Sequence, residues 1–259
     1  MNKDTWKKFT RAKENFRQIT EELACSLPEL KKIQQKFADS RCEGKKSAAH
    51  SAAYVVETPV VFNSALDDVT VKNEIKLILV ADNPGRREQA AENRRYLVGP
   101  SGKITEKFFR DNPPLGIDFR GNVIILNKTP IHSPRTVELK ELCRMDADIN
   151  RNRIPLSRAL EESQKKMAAL LQEFQLALDV PVWIVGYSEM KKGGIFETYT
   201  ETLKSVYADK KRYYKQIYFY RHFSMNQFTI DLKQQTLPGE TISKTLMRMG
   251  AAYRKRILE

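Results

Sequence analysis

The chain has 259 residues, of which 41% are hydrophobic and 30% are charged, and it carries a formal net charge of +13 at pH 7. Its length suits one large domain, or one domain with an appendage. No run of eighteen apolar residues occurs, so we expect no membrane span. The first residues lack the apolar core of a secretory signal, and the three cysteines are too far apart for a disulfide framework or a CxxC metal motif. We therefore expect a protein of the reducing cytoplasm.

The positive charge is concentrated at the two ends of the chain. Residues 210–259 contain eleven Lys or Arg against three Asp or Glu, and residues 1–50 contain twelve against seven. Clustered basic side chains bind polyanions because counterions are released from the phosphates. A nucleic acid is therefore one candidate partner, and an ordinary basic, solvated surface is the alternative.

The N-terminal part of the chain has a helical pattern. In residues 3–37, apolar side chains recur at three-, four- and seven-residue steps, and Pro28 is expected to start a second helix. Residues 40–53 are small and polar, which indicates a linker or loop. We therefore divide the chain into an N-terminal helical extension, 1–50, and an α/β domain, 51–259.

Strands and helices alternate through the rest of the chain. Four apolar runs are predicted to be strands: 75–81, 122–127, 180–186 and 215–220. The segments predicted to be helices are 103–110, 156–178, 196–207 and 240–257. This alternation predicts an α/β protein with three layers, in which a central and mainly parallel four-stranded sheet has helices on both faces.

Polar side chains follow the predicted strands. Asp82 and Asn83 come after the first strand, Asn127 ends the second, and His222 comes soon after the fourth. The carboxyl ends of parallel strands meet at one edge of the sheet, so we expect these side chains to converge there. An Asn amide can read the edge of a base, and a His can stabilise an oxyanion or move a proton. Each residue alone is as well explained by a turn or a buried structural role; the convergence favours a site.

A glycine-rich turn, Gly99-Pro-Ser-Gly102, precedes a predicted helix. It is too short for a Walker loop, so Ser101 is expected near the helix N-cap, where the N-terminus can also receive a phosphate. His132 and Arg135, after the second strand, are either phosphate contacts or members of a solvated loop.

These motifs together resemble the uracil-DNA glycosylase superfamily. The resemblance rests on "ADNPG", "RRYLVGPSG", an Asn-ended strand "VIILN", and "RHFS" after the last strand. It runs from about residue 59 to 228 and is densest over 77–109. The spacing is most similar to the iron–sulfur branch, and "NPG" is similar to the mismatch-specific and single-strand-selective branches. Ala81 replaces the first glycine of the motif and Phe223 replaces the proline of His-Pro-Ser. The four cluster cysteines are absent, so no iron–sulfur cluster is expected.

The resemblance implies a role for each matching position. Asn83 lies at the water-positioning residue, and Asp82 lies where the iron–sulfur branch has its Glu. Tyr96 matches the aromatic residue that stacks on a flipped base. Asn127 matches the residue that hydrogen-bonds to the edge of uracil, and His222 matches the histidine that stabilises negative charge on the leaving base. The positions that the resemblance and the basic charge assign to DNA contact are Ser101, Arg221, Ser224, Met225 and Asn226.

The function implied is that of a monofunctional DNA base-excision glycosylase, a hydrolase of N-glycosyl bonds in DNA repair. It would flip a damaged base, most simply uracil, and use water to release it. We expect DNA as the partner, no metal or organic cofactor, and a monomer. A catalytically inactive nucleic-acid-binding protein of the same fold is one alternative, and a glycosylase for another damaged base is a second.

Overall fold

The computed structural model describes residues 1–43, 54–149 and 152–259, without the side chains of 41–43. The predicted fold class is confirmed. The protein is α/β, with a central four-stranded, all-parallel sheet flanked by helices and preceded by N-terminal helices. The predicted linker at 40–53 lies mostly outside the described residues, apart from its first positions, which end a helix.

The strands lie within two residues of their predicted bounds. They are β1 (Leu77–Ala81), β2 (Val123–Asn127), β3 (Val182–Val185) and β4 (Ile217–Tyr220). The described helices are α1 (Lys3–Ser26), α2 (Leu30–Glu43), α3 (Pro100–Asp111), α4 (Glu138–Ile149), α5 (Leu156–Leu178), α6 (Glu197–Val206), α7 (Lys211–Tyr214), α8 (Gln227–Gln235) and α9 (Ile242–Leu258). Three of these helices, α4, α7 and α8, were not predicted from the sequence.

The strand order in the sheet is β2-β1-β3-β4. The chain therefore crosses from β1 to β2 in one direction and then from β2 to β3 in the other. Parallel crossovers are right-handed in nearly all proteins, so α3 lies on one face of the sheet and α5 and α6 lie on the opposite face. Both faces are covered, which explains why all residues of β1, β2 and β3 are buried.

Aromatic side chains fill the space between the sheet and the α3 layer. Trp183 of β3 stacks on Phe109 of α3, with ring centroids 5.5 Å apart, and on Phe228 of α8 at 5.9 Å. Helix α9 lies against β4, where the Tyr220 hydroxyl donates to the Leu246 carbonyl at 3.0 Å. These contacts fix both helices that follow β4 onto the sheet.

The N-terminal helices belong to the same hydrophobic core as the α/β part. Phe9 of α1 contacts Phe174 of α5 edge-to-face at 5.6 Å, and both side chains are fully buried. Gln34 of α2 donates to the carbonyl of His132, in the loop after β2, at 2.7 Å. Within the described residues, no helix combines the length and the apolar character needed to cross a membrane.

Candidate functional site

The carboxyl ends of β1 and β3 form the topological switch point of this fold. The chain leaves β1 towards β2 and later returns to β3 on the other side of β1. Ligands of open parallel sheets bind in the crevice at such a point. The polar residues of this edge and of the loops beside it are called here the rim cluster: Asp82, Asn83, Asn127, Lys128, Ser133, Thr136 and His222.

Gly186 gives the Asp82 carboxylate room against the end of β3. The backbone of Gly186 has a φ of +79°, in the left-handed region that favours glycine. A Cβ atom at this position would lie 2.5 Å from Asp82 Oδ1, closer than real Cβ contacts allow. The glycine is therefore required both for the turn after β3 and for the position of the carboxylate.

Lys128 is the direct partner of Asp82. Its Nζ lies 2.5 Å from Asp82 Oδ1 and 2.6 Å from the Val185 carbonyl oxygen, and its side chain is completely buried. Burial lowers the pKa of Lys128, and the charge of Asp82 opposes that shift. Thr136 donates to the second carboxylate oxygen of Asp82 at 3.1 Å. The carboxylate is thus held at both oxygens, and 14% of its side chain stays exposed.

Sequence reasoning missed Lys128, although a signal existed in the strand register. Ala81 pairs with Asn127 in the parallel ladder, so residue 128 lies beside residue 82. The Lys128 backbone N–H also lies 3.0 Å from the carbonyl oxygens of Ala81 and Asp82. A lysine directly opposite an aspartate at adjacent strand ends predicts an ion pair once this register is known.

Asn83 is tied to the loop that follows β2. Its Nδ2 donates to Ser133 Oγ at 2.9 Å and to the Ser133 carbonyl at 3.1 Å. Its Oδ1 lies 3.1 Å from the Thr136 hydroxyl, whose single proton is shared with Asp82 Oδ2. Both ends of the amide are therefore engaged with protein groups, as are both oxygens of Asp82. Ser133 and Thr136 were also missed from the sequence.

His222 lies within electrostatic range of the ion pair. Its Nδ1 accepts a hydrogen bond from the Ser224 backbone N–H at 3.0 Å, so the proton of the neutral ring is on Nε2. Burial is the main cause that lowers the pKa of His222; Lys128 lowers it further and Asp82 raises it. The structure therefore holds a neutral histidine near Asp82, and its Nε2–H has no hydrogen-bond partner among the residues that the structure describes.

Asn127 ends β2 as a buried residue with an unused donor. Its side chain is 1% exposed, and its Nδ2 has no hydrogen-bond partner among the described residues. A buried polar atom without a partner is uncommon and costs free energy. The donor is unpaired but covered, so a ligand reaches it only when the residues that bury it move.

The turn after His222 carries an exposed methionine. Met225 is 79% exposed, and both Met225 and Asn226 have a positive φ, 52° and 56°. Phe223, just before this turn, is buried and stacks on Phe228 with centroids 4.1 Å apart. The packed rings of Phe223 and Phe228 therefore lie beneath a turn with a strained backbone, and Met225 projects from this turn into solvent close to His222.

Arg221 is exposed at the end of β4. Its Nη1 donates to Gln227 Oε1 at 3.1 Å, and its Nε lies 3.8 Å from Asp231 Oδ1. The guanidinium keeps further N–H groups for a ligand.

Tyr96 is buried, and neither face of its ring is accessible from the rim. The side chain is 1% exposed, its hydroxyl donates to the Val61 carbonyl at 2.6 Å, and its ring lies 6.3 Å from that of Phe16 in α1. Both the ring and the hydroxyl are part of the core, so no face is free for a base in this conformation.

The backbone N–H groups just before α3 are hydrogen-bonded to a glutamate. Ser101 lies in the first turn of α3, whose N-cap is Gly99, and it is partly exposed. The buried Glu88 carboxylate accepts a hydrogen bond from Gly85 N at 2.8 Å and further ones from the backbone N–H groups of 97–99. A phosphate expected at this helix N-terminus therefore meets a carboxylate already in place.

His132 is a buried structural residue. Its Nδ1 donates to the Pro84 carbonyl at 2.8 Å, and its Nε2 accepts from the Tyr54 hydroxyl at 2.9 Å. Burial lowers its pKa to about 4. The sequence left two interpretations of His132 open. Its burial gives no support to a phosphate contact, and the prediction that it belongs to a solvated loop is wrong.

A groove of about 830 Å³ lies between α4, α5 and α6, away from the rim cluster. Two smaller cavities, of about 290 and 320 Å³, also lie elsewhere. Among the residues that the structure describes, no three His, Cys, Asp or Glu side chains are grouped as a metal site.

Compared with protein-family models, curated proteins and solved structures, the chain gives no match.

Proposed function

We propose that this protein is a DNA glycosylase that hydrolyses the N-glycosidic bond of a damaged base, with uracil as the first candidate. The observation that carries the proposal is the combination of a partly exposed carboxylate, Asp82, and a neutral histidine donor, His222, at the switch point. The resemblance of the strand-end motifs to those of the uracil-DNA glycosylase superfamily is the reason for proposing DNA as the substrate.

The two groups match the charges that develop during hydrolysis. A flipped base leaves with the electron pair of the C1′–N bond, so negative charge appears on the base and positive charge on the sugar. His222 Nε2–H can donate to the base, while Asp82 faces the sugar and attracts a water molecule. The water oxygen bonds to C1′, and its proton passes to Asp82 or to solvent. Preorganised groups of this kind stabilise the transition state electrostatically.

The surrounding residues support this division of roles. Lys128 and Thr136 hold the Asp82 carboxylate in place, and Asn83 fixes the turn that carries it. The Asn127 amide supplies a donor for a base carbonyl. Met225, which is 79% exposed, would enter the gap that a flipped nucleotide leaves.

Strand cleavage is not part of the proposal. Imine chemistry needs an amine with a free lone pair and access to C1′. Lys128 is fully buried and donates to two acceptors, Asp82 and the Val185 carbonyl. It therefore acts as a counterion and not as a nucleophile.

The test is release of the base from a labelled oligonucleotide that contains one uracil, opposite guanine or in a single strand, followed by alkali to cut the abasic site. His222→Ala should lower the single-turnover rate by roughly 10²- to 10⁴-fold while binding persists. The double variant Asp82→Asn/Lys128→Met should lower the rate to a similar extent. Replacing both residues avoids a buried ammonium group without a partner. Asp209→Asn is the matched control, since Asp209 is exposed and paired only with Lys210.

The absence of product from uracil, hypoxanthine, xanthine and mismatched-thymine substrates would contradict the proposal.

A catalytically inactive nucleic-acid-binding protein is the second candidate. It is favoured by the fact that both Asp82 oxygens already accept hydrogen bonds and that little of the side chain is exposed. This candidate predicts salt-sensitive binding without base release. It also predicts that Asn83→Ala leaves the affinity unchanged.

A further inference from the structure

Most arginines in the basic C-terminal part are already bound to other protein groups. Arg248 donates to Glu240 Oε2 at 2.7 Å and to a backbone carbonyl of α8 at 2.6 Å. Arg254 donates to two backbone carbonyls at the start of β4, at 2.8 and 3.0 Å. Arg212 is paired with Asp179 at 2.5 Å. The charge of this segment is therefore less available to a ligand than its composition indicates.

Arg256 of α9 differs from these three. Its guanidinium lies 5.6 Å from the ring centroid of Tyr187 and 5.8 Å from that of Tyr253. Among the described residues it has no hydrogen bond and no ion pair, and it is exposed. The aromatic rings restrict its position, and its N–H groups remain free to bind an anion.

The position of Arg256 connects it with the rim. Tyr187 directly follows Gly186, the residue that contacts Asp82. The hydroxyl of Tyr253, the second ring, donates to both oxygens of Asp231, at 2.9 and 3.0 Å.

The Asp231 carboxylate also lies 3.8 Å from Nε of Arg221, which follows β4. A single chain of contacts therefore joins the two exposed arginines, Arg256 and Arg221, through Tyr253 and Asp231, along the β3 and β4 side of the rim.

We propose that Arg256 and Arg221 bind backbone phosphates of a nucleic-acid strand that passes the rim. This inference rests on the proposed function only in its choice of nucleic acid as the partner. A guanidinium presents a planar fork of donors that matches two phosphate oxygens, and contact with two aromatic rings reduces the entropy lost on binding.

The arrangement fits a strand better than a membrane surface. Attraction to anionic lipid depends on clusters of roughly four to eight free cations. The exposed lysines of the C-terminal part supply diffuse charge to either partner, whereas Arg256 is held by two tyrosine rings and Arg221 by Gln227 and Asp231. Two localised donors select discrete phosphates along a chain.

The experiment measures binding of the full chain to a fluorescent single-stranded oligonucleotide of normal bases, from 50 to 200 mM salt. Each phosphate contact contributes about 0.7 to the slope of log K against log salt for a single strand. Arg256→Ala should reduce the slope by about that amount and weaken binding several-fold at the low-salt end. Arg248→Ala is the matched control, because the same residue type on the same helix is already bound to Glu240; its slope should equal that of the wild type.

Three results would overturn the inference: no binding by the wild type, an unchanged slope for Arg256→Ala, or an equal loss for Arg248→Ala. Loss of binding to phosphatidylserine vesicles by Arg256→Ala, with unchanged oligonucleotide binding, would also overturn it. Arg256→Gln keeps part of the stem on the tyrosines and serves the same measurement if the alanine variant is unstable.

Base release is measured separately. A protein whose salt slope depends on Arg256 but that releases no base retains this inference and loses the glycosylase proposal.

Discussion

Lys128 Nζ and Asp82 Oδ1 lie 2.5 Å apart, and the lysine side chain is completely buried beneath the rim. Removing only one partner of a buried ion pair leaves an uncompensated charge, which typically costs about 3–5 kcal/mol. Asp82→Ala should therefore lower the free energy of unfolding by about that amount, measured by urea denaturation. Asp82→Ala/Lys128→Met should recover most of the loss, because no unpaired charge remains.

An exposed pair of the same length is the control. Lys107 and Asp111 of α3 are also 2.5 Å apart, but both side chains are largely exposed. Asp111→Ala should change the free energy of unfolding by less than about 1 kcal/mol. Equal losses for Asp82→Ala and Asp111→Ala would show that burial does not govern the strength of the Asp82 pair.

Gly186 couples the backbone after β3 to the position of Asp82. Gly186→Ala adds a Cβ at 2.5 Å from Asp82 Oδ1 and forces a non-glycine residue to a φ of +79°. Gly193→Ala has nearly the same φ, +75°, but no heavy atom within 4 Å of the new Cβ. Both variants should lose about 1–2 kcal/mol of stability from backbone strain. Only Gly186→Ala should also lose base release; parallel losses of activity in both variants would contradict this coupling.

The buried His132 predicts acid sensitivity. Its pKa is lowered to about 4, first by burial and also by the charge of Arg86, so the folded state keeps it neutral while the unfolded state binds a proton below about pH 6.5. Stability from this group is therefore present above pH 6.5 and is lost as the pH falls to about 4. The stability of the wild type minus that of His132→Phe should fall by about 3 kcal/mol over that range. A difference that does not vary with pH would contradict the assignment.

The buried Glu88 predicts the opposite slope. Burial raises its pKa to about 7, although backbone N–H groups from two loops act against the shift. The folded state then binds a proton that the unfolded state has released above about pH 4.5, so stability falls as the pH rises from 4.5 to 7. The stability of the wild type minus that of Glu88→Gln should decrease by about 3 kcal/mol over this interval, measured by urea denaturation at each pH. A difference that rises with pH would show that the carboxylate is ionised in the folded state.

The strands could be predicted from the sequence because each is a continuous apolar run that needs cover on both faces. Helix α8 could not, since it is polar apart from a few residues and its N-cap, Asn226, has a left-handed backbone. Helix α4 was missed although Leu139, Leu142 and Cys143 recur at helical steps and its first turn is acidic.

The positions of the rim residues could be predicted where chain order alone determines them. Asp82 and His222 follow directly from the strand ends. Tyr96 was placed at the pocket by its motif, but Phe16 of the N-terminal helix packs beside it, and no local pattern reveals where that helix docks. Lys128 was missed because nothing in the local sequence marks it as buried, whereas the pairing of adjacent strand ends determines its burial.

The N-terminal helices should unfold together with the α/β part. Phe9 is fully buried between Trp6 and Phe174, with ring centroids 5.6 Å from each. Phe9→Ala should lower the free energy of unfolding by about 3–5 kcal/mol in a single cooperative transition, because it creates a cavity in the shared core. Lys7→Ala, an exposed neighbour on the same helix, should change it by no more than about 0.5 kcal/mol. A separate early transition in the wild type, with the main transition of Phe9→Ala unchanged, would instead mean that residues 1–43 form an independent unit.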